Sequence, residues 1–214
     1  ILRKAGSLQD QLKNYQTMVL YLCSHLCEVP EVLKEEKWIP LFVKDTGGAY
    51  LRVSAESHIT RLNMPQEGNQ KWGASRVHKS RVNSLPQMLQ EAWYALWAGF
   101  SYSGSEKVGE IQFYLCKNMN EEFSLKSVAE KYHFSEPYFC TLFKKGTGMS
   151  VIHFVQHVRV HYGTYLIRNS EKKLQEIAEE VGFENYSYFG KLFKRYVGQT
   201  PEAYREGSEG KLGI

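Results

Sequence analysis

His153, His157 and His161 recur every fourth residue, which on a helix stacks three imidazoles on one face at a spacing able to chelate a metal. No acidic or cysteine partner follows nearby, and the three alternate with apolar positions, so surface histidines are the favoured reading. Cys23-Ser24-His25-Leu26-Cys27 is a second cluster of ligand types, better explained by the apolar periodicity in which it sits. Arg76, His78, Lys79 and Arg81 form a basic patch that could take an anionic effector, although a solvated loop accounts for it better. Lys144, Lys145, Lys191, Lys194 and Arg195 differ from these. They fall in two short apolar-aromatic segments, where clustered cations can attract phosphate. There is no P-loop, dinucleotide fingerprint or nucleophile elbow. No catalytic residue, metal or cofactor is therefore assigned, and the chain is expected not to be an enzyme.

Those two segments are copies of one another. Residues 138–148 read YFCTLFKKGTG and residues 188–198 read YFGKLFKRYVG, displaced by 50. Upstream, Leu125, Val128, Ala129 and Phe134 match Leu174, Ile177, Ala178 and Phe183, displaced by 49. In each copy the 3–4 spacing predicts a first helix, then a turn at His133-Phe134 or Gly182, then a second helix capped by Ser135 or Asn185. Tyr138, Phe139, Leu142 and Phe143, and likewise Tyr188, Phe189, Leu192 and Phe193, form the expected buried faces; the first of these helices ends near Gly146 or Gly148 and the second at Gly198. This is helix-turn-helix geometry, expected over 124–147 and 173–198. Between the copies, Phe154, Val155, Val158, Tyr162, Tyr165 and Leu166 predict a helix over 150–168, roughly 28 Å long. Two recognition helices on such a strut could enter successive major grooves, about 34 Å apart on one face of B-DNA.

The remaining composition is consistent with this. The chain has 214 residues, 43% hydrophobic and 23% charged, with net charge +4 and mean hydropathy -0.44. From Glu106 to Ile214 there are 15 Lys and Arg against 14 Asp and Glu, so any phosphate attraction is local. Four cysteines are too few for a disulfide scaffold, and no apolar run is long enough to span a membrane. The chain opens on Ile1, which fits a fragment of a longer protein.

The stretch from Ile111 to Arg205 resembles the AraC/XylS family of bacterial transcription regulators. Both modules, the linker VRVHYGTYLI and the ending Gly198-Gln199-Thr200-Pro201-Glu202-Ala203-Tyr204-Arg205 agree with the family in order and spacing. Gly163 is a departure, standing where the linker helix commonly has Ala, and should loosen the strut by about 1 kcal/mol. The resemblance implies a bacterial, cytoplasmic, nucleoid-associated regulator that binds double-stranded DNA, with RNA polymerase as a further partner. It maps base contacts onto Pro137, Cys140 and Thr141, and onto Tyr186, Ser187 and Lys191. Lys191 is the strongest of these, since a cation can donate to guanine O6 and N7. Lys144, Lys145, Lys194 and Arg195 are expected on phosphates, where they fix register without carrying sequence information. For each of these cations a solvated helix end is the plainer alternative.

The N-terminal half is expected to divide into a helix over 1–30 and a small α+β domain over 31–105, ahead of the DNA-binding domain at 106–214. The fold class is thus mainly α: an all-α, homeodomain-like double helix-turn-helix preceded by a small α+β unit. Leu8, Leu12, Tyr15, Val19, Leu22 and Leu26 step by 4, 3, 4, 3 and 4, a coiled-coil-like seam that could pair two protomers through residues 8–26. Residues 38–54 read as a hairpin turning at Asp45-Thr46-Gly47-Gly48, with a further strand around Trp72–Val77. A helix from Leu85 to about Trp97 presents Leu89, Ala92, Trp93 and Leu96, and Phe100–Lys107 reads as a polar linker. The hairpin, Gly73-Ala74-Ser75 and the Glu-Ala-Trp-Tyr-Ala-Leu helix resemble the connecting region of YesN-like response regulators, itself likened to a degenerate GGDEF domain. That likeness implies a receiver domain ahead of Ile1 and no cyclase chemistry, because Gly47-Gly48-Ala49-Tyr50 lacks the acidic pair. The alternative is a regulator whose N-terminal domain binds a small ligand. About three strands are too few for the cupin barrel this would need.

Overall fold

The structure, a computed structural model, describes residues 5–24, 38–44, 47–57, 59, 61, 62, 64 and 71–209. The chain divides after Gly109 into two compact units.

The first unit opens with helix α1 (Ala5–Leu12) and strand β1 (Thr17–Ser24). The helix expected over 1–30 therefore does not exist as such, and the seam over 8–26 is corrected: its second half is a strand. The reason lies in the residues. Thr-Met-Val-Leu-Tyr-Leu-Cys is apolar on both faces, so a 3–4 spacing can be drawn through it although its real period is two. Met18 and Leu20 face one layer with Leu8, Leu12, Leu51, Met88 and Ala92, while Val19, Tyr21 and Cys23 face another with Trp38, Tyr50 and Ile59. Leu8, Leu12 and Val19 are all buried inside their own unit, which removes them as a dimer surface. Leu26, His25 and Cys27 lie outside the described residues.

Strands β2 (Trp38–Lys44) and β3 (Gly47–Ser54) are the expected hairpin, though its turn residues Asp45 and Thr46 lie outside the described set. β3 pairs antiparallel with β1 along its whole length, from Thr17 opposite Ser54 to Ser24 opposite Gly47. On the other side of β1 lie β4 (Lys71–Ala74) and β5 (His78–Lys79), also antiparallel. The order is β2-β3-β1-β4, with β5 beside β1. Pro40 sits in the outermost strand, where a missing N–H costs least, and the pairing shifts register between Pro40 and Phe42.

Helix α2 (Leu85–Ala98) packs on this sheet through Leu85, Met88, Glu91, Ala92 and Ala95. The face expected from Leu89 is rotated by about one residue: Leu89 is exposed and Met88 is fully buried. β4 meets α2 backbone to backbone, since a Cβ on Gly73 would lie 2.2 Å from the Ala92 carbonyl oxygen. Only glycine permits that approach. The expected linker is also packed: Tyr102 is buried, its ring is edge-on to Phe100, and its carbonyl accepts a hydrogen bond from Arg61.

The second unit is helical. α3 (Glu106–Lys117), within which the division falls, leads into α4 (Leu125–Lys131) and α5 (Glu136–Thr147). α6 (Val151–Asn169) follows, then α7 (Leu174–Glu180), α8 (Tyr186–Val197) and α9 (Pro201–Glu209). Both helix-turn-helix modules and the strut between them stand within two residues of the spans read from sequence. Capping chemistry accounts for this agreement except at α5, where Ser135 holds the N-cap position but its side chain makes no cap hydrogen bond. Ser124, Ser150 and Asn185 accept N–H bonds from Ser127, His153 and Tyr188, and Gly148 and Gly198 terminate α5 and α8 with φ of 78° and 89°.

Candidate nucleic-acid interface

The two modules are built alike. In the first, Val128 and Ala129 of α4 are buried, as are Phe139 and Phe143 of α5. The Phe143 ring stands edge-on to Phe154 of α6 at 5.4 Å. In the second, Ile177, Ala178, Val181, Phe183, Phe189, Leu192 and Phe193 form one cluster with Val160, Leu166 and Ile167 of α6. Burying each such aromatic stabilises the module by about 2–3 kcal/mol. The two turns share a left-handed residue, Gly182 at φ 89° and His133 at φ 58°. Histidine there makes the first turn the more strained.

Tyr138 and Tyr188 were expected within these cores and are not. They are 55% and 48% exposed, leaning on Phe134 and Phe183 at the module rims. The Tyr188 hydroxyl accepts a hydrogen bond from the Gln156 side chain of α6 at 2.8 Å.

With the apolar sides fixed inward, α5 presents Pro137, Thr141, Lys144 and Lys145 to solvent, with Cys140 half-buried. Thr141 donates its hydroxyl to the Pro137 carbonyl at 2.9 Å, which leaves its methyl and a hydroxyl lone pair facing out. On α8, Ser187, Lys191, Lys194 and Arg195 are exposed. The structure thus gathers nine of the ten sequence-derived contact residues, all but Tyr186, onto the outer sides of α5 and α8. Lys144, Lys145, Lys194 and Arg195 occupy the last turns of their helices, where they also complement the helix dipole.

Tyr186 stands apart. Its ring is half-buried against Phe189, and its hydroxyl donates to the Glu202 carboxylate of α9. Burial, and then the adjoining Glu202 carboxylate, push the Tyr186 phenol up to about 12. The same hydrogen bond holds the Glu202 carboxyl below its ordinary value. This phenol is a structural tie between α8 and α9.

An open cleft of about 870 Å³ lies between the α3–α4 loop, α6 and the second module. Its walls carry Glu121, Glu122, Glu179 and Glu184 against two cations, Arg159 and Lys191. Four carboxylates to two cations do not make a phosphate groove. Ser187 and Lys191 of α8 stand at its edge.

Sequence reasoning missed Arg159 altogether. From the middle of α6 its Nε donates to the Met119 carbonyl at 2.6 Å, one terminal nitrogen to Gly182 at 2.6 Å, and the other to Glu121 at 2.7 Å. Burial lowers its pKa. Its hydrogen bonds go to backbone carbonyls and its guanidinium lies over the Phe183 ring, so no oppositely charged residue betrays it in the sequence.

The other candidate clusters resolve differently. The Arg76–Arg81 patch is partly consumed by Glu91, which is fully buried. Arg76 donates its backbone N–H and its Nε to the two carboxylate oxygens at 2.9 and 3.0 Å, His78 Nε2 lies 2.9 Å away, and Gln87 donates at 2.9 Å. Burial pushes the Glu91 carboxyl up, but the His78 hydrogen bond and the His78 and Arg76 charges outweigh it and leave the group lowered. The His157 and His161 rings are 4.3 Å apart, with Tyr196 edge-on to His157. Among the described residues no group of three His, Cys, Asp or Glu side chains is placed to hold a metal, and no helix is long and apolar enough to cross a membrane.

Known proteins agree with this architecture. Residues 128–207 match a family described as a helix-turn-helix domain. The chain is 37% identical over 105 residues to the bifunctional transcriptional activator/DNA repair enzyme AdaA of Bacillus subtilis (strain 168), covering 49% of this chain and 50% of that one. It is 31% identical over 142 residues to the HTH-type transcriptional regulator YdiP of Escherichia coli (strain K12), covering 56% and 47%. It therefore spans about half the length of these relatives. Among solved structures, the C-terminal domain of the two-component response regulator yesN from Fusobacterium nucleatum is 33% identical, covering 47% of this chain and 99% of that one, with a TM-score of 0.46. Residues 128–207 are thus a helix-turn-helix domain of the AraC/XylS type.

Proposed function

We propose that the chain is a sequence-specific, double-stranded-DNA-binding transcription regulator that sets α5 and α8 into successive major grooves. One observation carries this reading: two equivalent modules packed on the same 19-residue helix each leave an exposed, cation-bearing face, on α5 and on α8. Base contacts fall to Pro137, Cys140, Thr141, Ser187 and Lys191, with Lys191 best suited to a guanine edge. Lys144, Lys145, Lys194 and Arg195 hold phosphates.

The finer reading is that this is the output portion of a two-component response regulator, with RNA polymerase as the partner of the DNA-bound form. The open order β2-β3-β1-β4 supports it over a ligand-binding barrel, because among the described strands β2 and β4 do not pair to close the sheet. The convergence of the hairpin, β1 and Gly73-Ala74-Ser75 beside α2 supports it further.

Selection of binding sites from a random duplex library tests the DNA reading. Two half-sites about one helical turn apart are expected. Lys191→Ala should relax preference at one base pair, and a consensus that stays intact while the salt slope becomes shallower would move Lys191 to a phosphate. Failure to enrich any sequence would defeat the proposal.

A further inference from the structure

The Arg159 guanidinium joins two segments through three carbonyls, the loop that leads into the first module and the turn of the second. Met119 and Glu121 lie between α3 and α4, at the entry to the first module, and Gly182 is the turn of the second. α6 itself holds the first module through Phe154 and the second along most of its length, from Gln156 and His157 to Leu166 and Ile167. Arg159 projects from the middle of this shared helix. Gly182 is fitted to it, since a Cβ there would lie 2.8 Å from the guanidinium carbon and 2.9 Å from the Met119 oxygen.

A cation drawn from water onto neutral carbonyls is a poor device for stability alone, since apolar packing would hold the helices as well. What a planar fork supplies is direction: three hydrogen bonds of fixed geometry from one rigid group, which the single nitrogen of lysine cannot reproduce. We infer that Arg159 is a positioning residue that locks the second module against the first and thereby sets the half-site spacing the protein accepts. This rests on the DNA reading given above. It assigns to one residue outside both reading helices a share of specificity that no base contact carries.

The test uses the full chain, the selected duplex, the same duplex with one half-site scrambled, and duplexes with one base pair added or removed between half-sites. Arg159→Met keeps the aliphatic stem and removes the fork. It should bind the single half-site within about twofold of wild type, lose about tenfold on the two-half-site duplex, and accept altered spacings almost equally. Arg159→Lys should behave like Arg159→Met, because restored charge does not restore the fork. If lysine rescues binding, Arg159 touches phosphate and the inference is wrong. Equal losses on half and full sites, with a lowered melting temperature, would reduce Arg159 to a stabilising residue.

A DNA-free arm separates this inference from the reading beneath it. Spin labels carried on unnatural side chains at Lys145 and Arg195 should give one narrow distance in wild type and a broad distribution in Arg159→Met. An equally narrow distribution in both would overturn the lock even if bipartite DNA binding holds. A wild type that shows no preference for two half-sites would overturn the DNA reading and, with it, the role of Arg159 in spacing.

Discussion

Tyr186 and Glu202 are joined by a hydrogen bond that ties the first turn of α8 to α9, so the residue at the tip of a reading helix is engaged with its own protein. Resemblance to the family places a base contact at this position, whereas the geometry gives its hydroxyl another partner. Tyr186→Phe is accordingly expected to leave the selected consensus unchanged and to cost no more than about 1 kcal/mol in a denaturant titration. Altered preference at one base pair would mean that the hydroxyl leaves Glu202 when DNA binds.

The phosphate assignment makes a separate demand. Lys194→Ala and Arg195→Ala should each weaken binding about uniformly across sequences and lower the slope of log affinity against log salt by about 1. Titrations between low and moderate salt measure this directly. A changed consensus with an unchanged slope would place either side chain on a base.

Glu91 predicts an acid-sensitive first unit. Its folded pKa lies below the ordinary value of 4.5, so the stability it contributes is fully present above about pH 4.5 and is lost as pH falls through the folded value. Glu91→Gln should destabilise the protein by about 3–5 kcal/mol at neutral pH, because Arg76 and His78 lose a buried carboxylate partner. Urea midpoints from pH 7 to pH 3 should fall more steeply for wild type than for the variant. Parallel curves would show that another group carries the acid response.

Gly163 and Gly190, each inside a helix, should respond oppositely to alanine. A Cβ at Gly163 would lie 3.1 Å from two carbons of the Phe189 ring, which is itself hemmed in by Phe183 and Phe193. The helix gains about 1 kcal/mol from alanine, but overpacking costs about 1–3 kcal/mol, so Gly163→Ala should lower the melting temperature. At Gly190 a Cβ meets nothing within 4 Å, and Gly190→Ala should raise it. The glycine in the strut is thus a seat for Phe189, where the sequence had suggested only a loosened helix.

The second unit was legible because its signals are local. Asn185 caps α8 three residues from Tyr188, and Gly148 and Gly198 close their helices within one turn. What escaped notice depended on distant partners. β1 could be taken for a helix because a strand buried on both faces shows no alternation. The α2 face was misplaced because a buried carboxylate, Glu91, occupies a core position that apolar periodicity treats as surface. Tyr138 and Tyr188 continue the aromatic pattern of their helices yet stop at the rim, where a hydroxyl can stay wet. Six contact residues were named by resemblance and four cations by their clustering, and nine of the ten stand on the outer sides of their helices.

The place of β1 at the centre of its sheet has a consequence for how the chain acquires its shape. It is made before β3 and β4, which flank it, and must wait for residues 47–54 and 71–74 to arrive. Until then, eight residues of high strand propensity and no charge have both hydrogen-bonding edges open, a template for association with other chains. The helical unit draws its contacts from nearer neighbours and folds sooner once synthesised. A shortened version that ends before Ser54 would leave that template uncovered. One that starts after Ser24 would take the middle out of the sheet.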